Sequence, residues 1–109
     1  MVGKYEVVTL CGSTKFKEDF IKAQEFLTLA GCIVISVGLF GHADNKYQTE
    51  ITSDVKTMLD DMHKRKIDMA DRILVINRND YIGESTRSEI EYAKSTGKKI
   101  TYMFEHKES

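Results

Sequence analysis

The chain has 109 residues, with 16 basic and 17 acidic side chains and a formal net charge of -1, so it holds enough apolar material for one core and too little for two. Neither sign forms a long block, which argues against a nucleic-acid groove or a membrane-binding face and leaves a small molecule as the expected partner. The opening Met-Val-Gly-Lys-Tyr-Glu lacks a signal-peptide core, and no run approaches the roughly 20 apolar residues that cross a bilayer, so a cytoplasmic, single-domain protein over 1–109 is expected. Cys11 and Cys32 each sit in or beside an apolar run and read as buried free thiols rather than a disulfide. No CxxC or local metal-ligand spacing is present, so neither a metal nor a cofactor is expected.

In chain order, YEVVTLC (5–11) predicts a buried strand ended by Gly12. Ser13 or Thr14 then caps a helix whose Phe16, Phe20, Ala23, Leu27 and Ala30 follow helical spacing, with Gly31 as its stop. CIVISV (32–37) predicts a second buried strand, and the polar, glycine-rich stretch 38–48 a long loop of the kind that is usually functional. A helix from about Thr49 to Met69 follows, with Ile51, Val55, Met58, Leu59, Met62 and Ile67 as its buried stripe. ILVIN (73–77) predicts a third strand, 79–85 a loop, 88–96 a third helix stopped by Gly97, and KITYMF (99–104) a fourth strand.

Strands alternating with helices imply a parallel sheet with right-handed crossovers, here a small Rossmann-like (flavodoxin-like) α/β sheet of about four strands with helices on both faces. Ligands of such sheets bind at the carboxyl ends of the strands, where the strand order reverses. Three segments are expected to converge there: CGSTK after strand one, GLFGHADN after strand two and NDYIGESTRSE after strand three.

Each segment admits two readings. Gly12, Ser13, Thr14 and Lys15 at a helix start suit an anion, or Ser13 and Thr14 are plain caps. Phe40 and His42 suit stacking over a base, or Phe40 folds into the core. In GESTRSEIEYA (83–93), Thr86 and Glu89 have the spacing of a capping box, yet a carboxylate held ionised by a helix N-terminus also suits attack on an anomeric carbon.

GESTRSEIEYAKSTGKKI resembles the C-terminal signature of the nucleoside 2-deoxyribosyltransferase-like superfamily. VVTLCGSTKF is similar to the first strand and substrate loop of its deoxynucleoside 5′-monophosphate N-glycosidase branch, and IDMADRILVI to that group's third strand. The resemblance implies that Glu89 is the nucleophile, that Gly12 and Ser13 belong to the first substrate loop, and that Gly83, Ser85 and Thr86 contact the sugar or phosphate. It implies N-glycosidic hydrolysis or deoxyribosyl transfer on a nucleoside or nucleotide, in homodimers or larger homo-oligomers whose sites a neighbouring subunit completes; Met58, Met62 and Tyr92 are the expected contacts.

The chain departs from that pattern in places. His63 stands where the family has an aspartate that assists the leaving base, with Asp60 and Asp61 upstream; Glu91 replaces a glycine, and Tyr5 lies at the wrong end of strand one. His63 either supplies the proton, with Asp60 beside it, or is a surface histidine among charged neighbours. A non-catalytic nucleotide-binding domain of the same fold is the alternative function.

Overall fold

A computed structural model describes residues 2–37 and 52–107. Four strands, β1 (Val7–Gly12), β2 (Ile33–Ile35), β3 (Arg72–Ile76) and β4 (Lys99–Tyr102), pair in parallel in the order β2-β1-β3-β4. The helices are α1 (Lys17–Leu29), α2 (Ser53–Asp68) and α3 (Glu84–Ser95). The expected small α/β parallel sheet is therefore present.

The period-two alternation of β1 sorts its side chains onto two faces. Val8 and Leu10, with Leu74 and Ile76 of β3, meet Phe20, Ala23 and Leu27 of α1. Cys11, with Ile73 and Val75, meets Ile67 of α2 and Ile90 and Ala93 of α3. Each fully buried Leu, Ile or Phe contributes about 1.5–3 kcal/mol, so these two clusters fix which helix covers which face. Thr9, on the second face, donates its hydroxyl to the Lys66 carbonyl at 2.8 Å, and Lys66 Nζ reaches the Ser36 carbonyl at 3.0 Å. Helix α2 is thereby tied to the sheet near its C-terminal end.

From β1 the chain steps outward to β2, then returns across β1 to β3 and β4, so the order reverses between β1 and β3. The loops leaving these two strands lead to α1 and α3 on opposite faces, and the carboxyl ends between them are where sheets of this kind form a ligand crevice.

Two expectations change. β2 is half-exposed rather than buried, with Ile33 at 50 % exposure. It lies at one end of the sheet order, a position that an apolar run does not reveal. In α2 four residues of the stripe expected in the core face out: Val55, Met58, Leu59 and Met62 are 37–51 % exposed, while Ile67 of that stripe is buried as expected, together with His63. Ile51 lies outside the described residues.

Candidate active site

Three polar side chains from three elements meet on the face covered by α2 and α3. Cys11 Sγ, from the end of β1, lies 3.3 Å from His63 Nε2 of α2. Glu89 Oε1, from α3, lies 3.5 Å from the same nitrogen, and the ligand atoms of all three residues fall within 4.8 Å of one another. Cys11 and His63 are buried, and the Glu89 side chain is 16 % exposed.

Burial governs their protonation. It is the largest cause that raises Glu89 from the ordinary 4.5 to about 7; the charge of Asp60 adds to it, while Lys64 and Lys56 oppose. Burial also lowers His63 from 6.5 to about 4, with Lys66 adding and Asp60 opposing. At neutral pH the imidazole is therefore uncharged and the carboxyl shares a proton with solvent, so the contact has the spacing of an ion pair without being one. Burial, then the charge of Glu89, pushes the Cys11 thiol well above its ordinary range.

Both neighbours of His63 meet its Nε2, whereas a nucleophile–base–orienter relay needs the two opposite ring nitrogens. Cys11 is thus not placed as a histidine-activated nucleophile.

The capping box does not form. Helix α3 starts at Glu84 behind Gly83, which offers no side-chain cap; Thr86 is already inside the first turn and buried, and Glu89 is in the second turn. There the pull of the helix dipole has faded, and desolvation raises the carboxyl instead of holding it ionised. The surface reading of His63 is overturned as well: Asp61, Lys64 and Arg65 flank it in sequence, but His63 lies four residues before buried Ile67 and shares its side of the helix. Burial also removes it as a proton donor at neutral pH. Asp60 is exposed one turn earlier, paired with Lys56 at 3.2 Å.

The loops after β1 and β3 do converge. Ser13 Oγ accepts from the Lys15 N–H at 3.3 Å and caps a 3-10 turn over Thr14–Phe16, so the plain-cap reading holds for Ser13. The ammonium of Lys15 lies 3.6 Å from the centre of the Tyr81 ring, and Phe16 meets the same ring edge-on at 5.9 Å. Tyr81 in turn packs beside Gly83. Gly12 has φ +152°, and a Cβ there would come within 2.9 Å of the Ile76 carbonyl, so the close approach of β1 to β3 at the crevice needs glycine. Ser85 is exposed at the start of α3, and Thr14 is half-buried. Phe40 and His42 lie outside the described residues.

Sequence reasoning placed Cys11 and Tyr81 in two of the converging segments but gave neither of them a role there. Cys11 was legible only as an inward residue on the face of Thr9; its partners lie 52 and 78 positions away, which is why local spacing gave no ligand set. Beyond the crevice, Arg78 holds buried Asp19 through two contacts of 2.6 and 2.7 Å, and Asn77 bonds the backbone of Phe104. These stitch β3 to α1 and to the chain after β4. An apolar concavity between α1 and β4, lined by Phe26, Leu27, Leu74 and Met103, is on the other face of the sheet and brings no acid–base pair together.

No protein-family model matches the chain, and no curated protein matches it. Among the described residues no helix is long and apolar enough to cross a membrane.

Proposed function

We propose that this chain cleaves or transfers the N-glycosidic bond of a nucleoside or nucleoside 5′-monophosphate, with Glu89 as the reacting carboxylate. The observation that carries the reading is Glu89 itself: a carboxyl largely buried on an inner helix face, 3.5 Å from a histidine, below the β1/β3 crevice. A surface cap has no need of that position. In its ionised form Glu89 would attack C1′ as the C1′–N bond breaks, the bonding pair would leave with the base, and water or a second base would release the glycosyl ester. Neutral His63 orients Glu89, and the proton for the departing base comes from the solvent side, where Asp60 lies.

Lys15 and the first turn of α3, which lacks a side-chain cap at Gly83, supply positive potential on the same rim and suit a 5′-phosphate. The exposed ridge of Val55, Met58, Leu59 and Met62 suits a second copy of the chain, so the expected working unit is a homodimer.

Incubation with a panel of deoxynucleosides and their 5′-monophosphates, followed by chromatography for free base, tests the reading. Base release should rise with pH through about 7, as Glu89 ionises, and should vanish in Glu89→Ala. Release undiminished in that variant overturns the role of Glu89. Binding without any release favours a non-catalytic nucleotide-binding domain, a second reading supported by the absence of an imidazolium at neutral pH.

A further inference from the structure

The glycosidic reading uses the contact of His63 with Glu89 but gives no role to Cys11 or to the convergence of all three side chains. We infer that these three residues form a binding site for Zn²⁺ or a similar borderline divalent ion. Zinc bonds of about 2.3 Å to sulfur and about 2.0–2.2 Å to nitrogen and oxygen, at tetrahedral angles, set neighbouring ligand atoms roughly 3.3–3.6 Å apart. The S···N separation of 3.3 Å and the N···O separation of 3.5 Å both fit that span, and the third edge, bounded by 4.8 Å, would close toward it as the ion binds.

Two contacts on one imidazole nitrogen make a poor relay, but convergence on that nitrogen is what a shared ion produces. Its lone pair points at the ion while the other ring nitrogen keeps the proton. A thiolate with an imidazole selects the zinc class over magnesium or calcium, which take oxygen ligands. Binding would displace the proton of Cys11 and any proton on Glu89 to solvent. The resulting site, one divalent cation with a thiolate and a carboxylate, is neutral overall and leaves no uncompensated buried charge. Three protein ligands would leave the fourth position to water. The site does not depend on Glu89 being a nucleophile; where it is one, the ion competes with substrate for the same carboxylate.

The test titrates Co²⁺ into chelator-treated full-length protein and follows absorbance, a readout independent of any turnover. One equivalent should produce a thiolate-to-metal charge-transfer band with intense tetrahedral visible bands, and one equivalent of Zn²⁺ should remove both. The charge-transfer band should be lost in Cys11→Ser and kept in Cys32→Ser, and Glu89→Gln should weaken Co²⁺ binding by at least about tenfold. No thiolate band in the wild type, or a band that persists in Cys11→Ser, overturns the inference. Should Cys11→Ser fail to fold, His63→Ala and Glu89→Gln decide: affinity unchanged in both overturns it equally.

Discussion

Glu89→Gln should make the protein more stable at neutral and alkaline pH, and the gain has a calculable pH dependence. Glutamine keeps the shape of the protonated carboxyl and cannot ionise. The folded state raises Glu89 from 4.5 to about 7, so it holds the proton more tightly than the unfolded chain does. Below about pH 4.5 both states are protonated and the variant should match the wild type within a few tenths of a kcal/mol. Between 4.5 and about 7 the unfolded chain is ionised while the folded one is not, and the wild type loses about 1.4 kcal/mol per pH unit relative to the variant. Above 7 the gap levels off at about 3 kcal/mol.

His63 acts in the opposite sense. Its folded value is depressed from 6.5 to about 4, so its burial costs nothing above 6.5 and about 3 kcal/mol once the pH falls below 4. In the wild type the two slopes nearly cancel between 4.5 and 6.5, because folding in effect keeps the proton on Glu89 and off His63. Glu89→Gln removes one of them, and the variant should then lose stability on acidification from 6.5. Urea unfolding followed by circular dichroism, at intervals between about pH 4 and 8, measures both curves, and their difference isolates Glu89. A variant less stable than the wild type at about pH 8 would mean that Glu89 and His63 form a true ion pair. A difference independent of pH would mean that Glu89 is not desolvated.

Gly12→Ala should destabilise the fold by more than about 2 kcal/mol, because the added Cβ meets the Ile76 carbonyl at 2.9 Å and the φ of +152° is strained for alanine; a near-wild-type urea midpoint would refute the close approach. Lys15→Ala should remove most of the preference for a 5′-monophosphate over its nucleoside, about tenfold in calorimetric affinity for one charge-assisted contact, and a retained preference would place the phosphate elsewhere. Met58→Lys combined with Met62→Lys, both on the exposed ridge of α2, should convert a dimer into a monomer in sedimentation equilibrium at micromolar concentration; an unchanged mass would exclude that ridge as the contact.

How far the sequence could be read depended on whether a residue's fate was decided locally. β1 and α1 were legible because alternation in VVTLC and the spacing of Phe20, Ala23 and Leu27 each select one inward face, and the sheet then covers it. In α2 spacing identified an apolar ridge but not which side of the helix the sheet would meet. At 3.6 residues per turn, Val55, Met58, Leu59 and Met62 centre roughly 110° away from His63 and Ile67. The sheet takes the second side, where Thr9 bonds the Lys66 carbonyl, and the richer ridge is left outside.

The same limit explains Glu89. Thr86-Arg-Ser-Glu89 has capping-box spacing, and only the start of α3 at Glu84 puts both residues beyond the cap. Once Glu89 is in the second turn, helical spacing to Ala93 turns it inward, where desolvation opposes its charge by about 3 kcal/mol. His63, placed by its spacing to Ile67, meets a comparable desolvation cost only when protonated, and Cys11 beside them is a thiol held far from its reactive form. Packing alone would favour three aliphatic side chains in these positions. Three desolvated titratable groups gathered at one point, under the strand-order reversal, have the signature of a site kept for chemistry or for an ion. The pH dependence of Glu89→Gln and the Co²⁺ spectrum of Cys11→Ser address that point separately: the first measures what the carboxyl costs the fold, the second whether an ion gives the three groups a common use.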